Sequence, residues 1–356
     1  MSTMTSQPVS GPAVWRGDEL SARTDWIHRL TTDELAELET VGRRFVADDP
    51  DLRRVTADDY PLPVCRPAVD EWARVLDGGR GFVLVRGLRV DEYGDALSGA
   101  IYFVLGLHLG VPMQLNQMGD LLDHVRATSD KKRDDPTALG SAIRDSLNFH
   151  SDSSDVVGLL CLRPAKEGGA SSLICAATIY NTVLERRPDL APLMFETWHW
   201  DWYKQDHDAP ANTYTSPMVC VVDGVFSMYA GNRIIRSAQD YEEVPRLTPQ
   251  QEELLDLFDE ILRHDGLVLH MDFRPGDIQW LSNHAALHSR TAFVDHPEPG
   301  RRRHLMRLWL KRGTRPLVPG FGKHVVKEQG VADGPGHPDG RHRIGEVTQP
   351  RLDWGN

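Results

Sequence analysis

The stretch Asn148-Phe149-His150-Ser151-Asp152 sets an imidazole and a carboxylate one residue apart. On an extended strand, residues i and i+2 point to the same face, so His150 and Asp152 can converge on one point. One imidazole and one carboxylate are two-thirds of the 2-His-1-carboxylate set that holds non-haem Fe(II) and leaves coordination positions open. The chain offers a third ligand at His288, within Leu287-His288-Ser289-Arg290-Thr291-Ala292-Phe293. Taken alone, a His-x-Asp pair more often marks a solvated strand end. A rival pair with the same spacing, His199-Trp200-Asp201, sits in an aromatic segment with no glycine-pair turn behind it, and reads as pocket lid or core. His284 reads as structural, and His270, His296 and His304 are candidates by residue type alone.

The elements that must position these groups read mainly as strands. Apolar runs at Phe82-Val83-Leu84-Val85, Gly158-Leu159-Leu160-Cys161-Leu162 and Ser171-Ser172-Leu173-Ile174-Cys175 predict buried strands. Further strands are expected at 267–273, 277–281 and 304–311, with Pro275-Gly276-Asp277 as a tight turn. Thr31-Thr32-Asp33-Glu34 predicts a capping box that opens a helix carrying Leu35, Leu38, Val41 and Phe45 on one face. Helices are also expected over 69–76, 92–107 and from Thr248 onward, where proline stands in the first turn. Gly78-Gly79-Arg80-Gly81 is not a dinucleotide fingerprint, because a strand follows it and no helix starts there. Residues 1–15 read as a disordered arm and 16–356 as a single domain, a β core with flanking helices and a loose tail from Arg312. Residues 128–145 read as a mobile polar loop, and 196–216 as a mobile lid whose aromatic and polar side chains could line a pocket.

Composition bounds the partners. With 40% hydrophobic and 26% charged residues, the chain has the make-up of a soluble globular protein. A net charge of −12 and a pI near 5.7 give no electrostatic support for nucleic-acid or anionic-membrane binding. No apolar run approaches a membrane span, and the first residues lack the pattern of a signal peptide. Cys65, Cys161, Cys175 and Cys220 lie far apart with no Cys-x-x-Cys spacing, so buried reduced thiols in a cytoplasmic setting are expected. A small-molecule substrate is the expected partner, and a homo-oligomer is compatible with the sequence.

Four motifs in order resemble the TauD/TfdA family of Fe(II)- and 2-oxoglutarate-dependent dioxygenases. They are His150-Ser151-Asp152, the turn Gly168-Gly169-Ala170-Ser171, the segment from Pro275-Gly276-Asp277 to Phe293, and Arg301-Arg302-Arg303-His304-Leu305-Met306-Arg307. The resemblance implies a double-stranded β-helix, or jelly roll, with Fe(II), 2-oxoglutarate and O2 as cofactor and co-substrates. It implies that His150 and Asp152 are the proximal iron ligands and His288 the distal one. Ser171 and Arg303 match the hydroxyl and guanidinium that hold the distal carboxylate of 2-oxoglutarate. Arg307, four residues further on, matches an arginine that can face the substrate, with a structural ion pair as the alternative. Asn148 and Trp200 are assigned to the substrate side.

The implied reaction is oxidation of an unactivated C–H bond of a small organic molecule, a secondary metabolite or amino-acid-like compound. Succinate and CO2 are released. Hydroxylation is the simplest outcome, and desaturation, cyclisation or epimerisation would use the same cofactors. A cupin-like metal hydrolase or isomerase would need neither Arg303 nor Ser171, and a non-catalytic jelly roll would need no ligand set. Two departures stand out: Ser289 where the family often has glycine, and Ser282-Asn283 where it commonly has paired asparagines. A carboxylate at Asp152 leaves no vacant site for a halide, which argues against halogenation.

Overall fold

The first long helix, Thr32–Asp48, begins where the Thr31 hydroxyl accepts from the Glu34 N–H at 3.2 Å and the Glu34 carboxylate accepts from the Thr31 N–H at 2.8 Å. A cap of this kind stabilises a helix by about 1 kcal/mol. Helix Arg66–Gly78 buries Val69, Trp72 and Leu76 on one face. Helix Val90–Leu109 is kinked at Gly94, and from Ser98 to Gly106 nearly every residue is buried. These three helices form a layer. The computed structural model describes residues 7–116, 119–132, 142–202, 211–322 and 341–344.

The helices cover one face of the larger of the two main sheets. Its order is Ile27–Arg29, Phe82–Arg86, Ile278–Ser282, Val156–Arg163, His304–Lys311 and Val111–Met113, with Asp123–Val125 also paired to His304–Lys311. Strand alternation sends Leu160, Trp280, Met306 and Leu308 toward the helices. It sends Leu159, Cys161, Leu305, Arg307 and Trp309 to the opposite face. A Cβ at Gly158 would stand 2.3 Å from the Trp280 ring and 2.5 Å from the Tyr102 hydroxyl, so only glycine lets their stack lie against this strand. The second sheet runs Val268–Met271, Ser171–Cys175, Ala286–Arg290, Leu147–His150, all antiparallel. Together the two sheets make the expected double-stranded β-helix, mainly β with flanking helices. The turn at Pro275-Gly276-Asp277 is pinned by Arg86, which donates to both oxygens of the fully buried Asp277 at 2.8 and 2.6 Å.

Three expectations change in the structure. Residues 9–15 are not a loose arm: Val9 exchanges two 2.8 Å hydrogen bonds with the Asn181 side chain, and the Trp15 indole is buried edge-on to Phe82. The described part of the tail is tied down too, with Arg312 on Asp77, Arg315 on Ser227, and Phe321 buried. The flanks of the expected lid form an antiparallel hairpin, Thr197–Asp201 with Thr213–Pro217, in which Trp198 and Trp200 are core residues. The hairpin's 203–210 and the loop's 133–141 lie outside the described residues. All four cysteines are buried free thiols. Among the described residues no helix is long and apolar enough to cross a membrane.

Candidate metal and co-substrate site

His150 is the last residue of its strand and pairs in register with His288 on the neighbouring strand. Asp152 lies just beyond the strand end, so strand alternation does not place it. Its backbone N–H instead donates to Asn283 Oδ1 at 3.0 Å, while the Ser151 N–H donates to the Ala230 carbonyl at 2.9 Å. Asn283 also donates to the Ser154 carbonyl and hydroxyl, and thereby clamps the loop that carries Asp152. His150 Nε2 lies 3.7 Å from Asp152 Oδ1, and His288 Nε2 lies 3.6 Å from Asp152 Oδ2. One potential ligand atom from each residue falls within 4.8 Å of the others, and among the described residues no other such His, Cys, Asp and Glu group occurs.

The local hydrogen bonds suit ligation. His150 Nδ1 is 2.8 Å from the Asn148 carbonyl, which can only accept, so Nδ1 carries the hydrogen and Nε2 keeps its lone pair for the trio. Burial, reinforced by His288, pushes the His150 imidazolium down to about 4, so the ring is neutral at pH 7. Burial raises the Asp152 carboxyl, but His288, Arg307 and His150 outweigh it and hold the group well below the usual carboxylate range. A neutral imidazole beside a carboxylate is the protonation state a divalent cation requires. Two histidines and one carboxylate with room for further ligands is also the donor set of non-haem Fe(II).

The Gly168-Gly169 turn sets the second half of the site. Both glycines have positive φ, 71° and 73°, and a Cβ on Gly168 would meet the Ala292 carbonyl at 2.2 Å. A Cβ on Gly169 would come within 3.2 Å of Arg303 Nε, so the turn and the arginine are in contact. Arg303 is buried, its guanidinium 5.1 Å over the Phe293 ring; Asp295 accepts from its backbone N–H at 2.7 Å, while among the described residues its guanidinium forms no ion pair with a carboxylate. Burial lowers it to about 10, which still leaves it charged at neutral pH. A buried guanidinium without a carboxylate calls for an anionic ligand, and a dicarboxylate such as 2-oxoglutarate fits. Ser171 starts the next strand and donates to Gln279 Oε1 at 3.3 Å. Arg290, which the sequence reading did not single out, pairs in register with Ser171 and lies over the same Phe293 ring at 4.8 Å.

The remaining predicted residues separate. Arg307 Nη2 donates to Asp123 Oδ2 at 3.0 Å, and its guanidinium lies 5.3 Å over the Trp309 ring. The Asn148 side chain is exposed, while its carbonyl orients His150. Trp200 does not line the site: it is fully buried, donates to the Ser216 carbonyl at 2.9 Å, and packs behind Tyr229. Its aromatic segment builds a hairpin that closes on the core, which alternation of aromatic and polar residues does equally well. Asp201 of the rival pair accepts from Ser237 and Tyr241, and His284 Nε2 faces Asp155 at 3.1 Å. Sequence reasoning also missed Tyr229. Its hydroxyl meets that of Tyr214 at 3.0 Å, and burial pushes it up to about 12. Nothing in Ser227-Met228-Tyr229-Ala230 signals this.

A double-stranded β-helix with a converging His, Asp, His trio and a buried arginine whose guanidinium is in no ion pair among the described residues defines a non-haem iron oxygenase of the 2-oxoglutarate-dependent class. The chain belongs to the taurine catabolism dioxygenase TauD, TfdA family, whose family model matches residues 50–309. It is 26% identical over 318 residues to FR-33289 synthase of Streptomyces rubellomurinus, covering 87% of this chain and 92% of that protein. It is also 26% identical over 303 residues to the taurine hydroxylase-like protein SAT17 of Stachybotrys chartarum, covering 83% of this chain and 77% of that one. Its fold is similar to the non-haem iron oxygenase OrfP in complex with Fe and alpha-ketoglutaric acid, with a TM-score of 0.63, 16% identity, and coverage of 80% of this chain and 93% of that one. Asparagine oxygenase in complex with Fe(II), 2S,3S-3-hydroxyasparagine and succinate is similar at a TM-score of 0.61, with 16% identity and the same coverage. Iron and 2-oxoglutarate are therefore the cofactors of this enzyme class, and the donor set described above fits both.

Proposed function

We propose that the chain hydroxylates an amino-acid-like small molecule, with His150, Asp152 and His288 holding Fe(II) and with Ser171 and Arg303 holding the distal carboxylate of 2-oxoglutarate. The observation that carries the reading is the trio itself, with Asp152 buried and His150 half-buried, whose ligand atoms face one another with no protein cation between them. When bound, iron and 2-oxoglutarate supply the oxidising power: O2 is consumed, 2-oxoglutarate becomes succinate and CO2, and a C–H bond of the substrate is oxidised. The protein's part is to orient both molecules and exclude water. Arg303 offers a planar fork that fixes a carboxylate in direction as well as charge.

Asp123 and Arg307 support this substrate class. A lone arginine near the metal would favour a simple anion. Here Asp123 cancels that charge, and the pair presents a carboxylate and a guanidinium side by side. Such a pair matches a substrate that carries both an ammonium and a carboxylate, as an α-amino acid does. Arg307 Nε is buried without a hydrogen-bond partner, so the guanidinium retains donor capacity for a ligand. The relatives whose names mention hydroxylated asparagine and arginine support the same class.

The test is succinate formation from 2-oxoglutarate across a panel of L-amino acids and derivatives, with alkyl sulfonates and phosphonates as the comparison set. Succinate coupled one-to-one to an oxidised amino-acid-like compound is the expected result. Coupling only to singly charged anions would overturn the substrate class. An activity that runs without consuming 2-oxoglutarate would overturn the reaction and favour the hydrolase or isomerase reading.

A further inference from the structure

We propose that Trp309 is a positioning residue for the Asp152 carboxylate and links it to the Asp123–Arg307 pair. The inference rests on the reading of His150, Asp152 and His288 as metal ligands. Trp309 stands two residues after Arg307 on strand His304–Lys311, so both side chains leave the same face. Its indole Nε1–H donates to Asp152 Oδ2 at 2.9 Å. The Arg307 guanidinium lies 5.3 Å over the same indole, and Arg307 is in turn held by Asp123 at 3.0 Å. One unbroken line of contacts therefore runs Asp123, Arg307, Trp309, Asp152.

The indole has a definite task in this line. Asp152 sits on a loop beyond its strand end, with its backbone held by Asn283 and its carboxylate buried. Among the described residues, the side-chain nitrogens that face that carboxylate besides the indole are His150 Nε2 and His288 Nε2, which a metal would claim, while Arg307 acts on it through its charge. Trp309 is the neutral donor left to fix the plane of the carboxylate. With one oxygen held by the indole, Asp152 would offer the other to a metal and would ligate it through a single atom. Ligation through both oxygens would take a position that the three-residue set leaves open for other ligands. A cation on the face of an indole draws electron density from the ring and strengthens its N–H as a donor. A ligand that draws Arg307 away from the Trp309 ring thus weakens the hold on Asp152, and substrate occupancy is felt at the metal.

The test uses Co(II) as the probe, read by calorimetry and by its visible ligand-field spectrum, which reports coordination number. Trp309→Phe keeps a ring but removes the N–H. It is expected to weaken Co(II) binding by about 10- to 100-fold, the usual effect of losing a partner of a ligating residue, and to shift the spectrum. Trp309→His can place Nε2 where the indole Nε1 stands, and is expected to bind within about threefold of the parent protein. The direct charge of Arg307 on Asp152 is common to both backgrounds, so the effect of Arg307→Met on Co(II) binding should be less favourable in the parent than in the Trp309→Phe background by the part that the indole carries, as a double-mutant cycle shows for coupled residues. Melting temperatures of all variants report folding separately. Equal losses in the Phe and His variants, or additive effects of Arg307→Met, would overturn the proposal. If the parent binds no Co(II) in a manner sensitive to Asp152→Ala, the metal reading itself fails, and that result is distinct from either.

Discussion

At His150, Asp152 and His288, ring nitrogens and carboxylate oxygens face one another across 3.6 and 3.7 Å with no guanidinium between them. Around His304 the same residue types meet differently. His304 Nδ1 lies 2.6 Å from Arg163 Nη2 and 3.0 Å from Arg126 Nη2, while its Nε2 lies 2.7 Å from His124 Nδ1. A guanidinium can only donate, so His304 Nδ1 must accept, and the ring hydrogen sits on Nε2. Asp95, next to the Gly94 kink, pairs with Arg163 at 3.1 and 3.3 Å. Two arginines stand where a metal would have to stand. The lesson is that residue types do not make a metal centre; what matters is whether the lone pairs are already taken.

Four predictions break or sharpen this contrast. The largest effect is expected from Asp152→Ala or His288→Ala, which should lower Fe(II) affinity by two orders of magnitude or more, beyond the effect of losing a mere supporting partner. Asp95→Ala should leave Fe(II) affinity unchanged. Anaerobic calorimetry with Fe(II) checks both, and a loss of Fe(II) binding in the Asp95 variant would erase the distinction between the clusters.

Next comes the co-substrate clamp. Arg303→Ala should weaken 2-oxoglutarate binding by about 2–5 kcal/mol, because a charged partner is removed from a desolvated site. Arg307→Ala should leave 2-oxoglutarate affinity nearly intact and raise the KM of the oxidised substrate. A reversal of these two effects would exchange the roles of the arginines.

The third prediction concerns pH. Burial, with the charges of Arg126 and His124 added, pushes the His304 imidazolium down to about 2. In the unfolded chain a histidine titrates near 6.5. Because the folded value is the lower, the unfolded state binds the proton first. Stability is therefore full above about pH 6.5 and is lost as pH falls below it. Between pH 6.5 and 5 the loss from this one group is about 2 kcal/mol. Thermal melts of the protein and of His304→Gln over that range should show a shallower acid decline in the variant. Parallel curves would contradict the buried neutral ring.

The smallest effect is expected at Trp200. Trp200→Phe removes a buried hydrogen bond and some ring volume, and should destabilise by about 2 kcal/mol. Iron and 2-oxoglutarate binding should stay unchanged. A tenfold change in substrate KM with unchanged stability would return Trp200 to the pocket.

What the sequence made legible was local. Thr31 and Glu34 cap a helix within four residues, and Gly168-Gly169 forces a turn whatever surrounds it. His150, Asp152, His288 and Arg303 stood out because short motifs with fixed spacing carry them. What it hid was contact across the fold. Asn283 holds Asp152 from 131 residues away, Trp309 from 157, and Asp123 meets Arg307 across 184. No local pattern encodes such meetings, because sheet register decides them. The same reason explains residues 9–15, whose order depends on the Asn181 side chain, and Trp200, whose hairpin looked like a pocket wall until its partners were known.

The central claim is that one Fe(II) and one 2-oxoglutarate meet at His150, Asp152, His288 and Arg303. Anaerobic titration of the protein with Fe(II), then with 2-oxoglutarate, tests it most directly by following the visible absorption. One Fe(II) per chain and a weak charge-transfer band that grows with 2-oxoglutarate are predicted, with the band lost in His288→Ala and displaced to higher 2-oxoglutarate concentration in Arg303→Ala. A protein that binds Fe(II) and develops the same band after both substitutions would contradict the account.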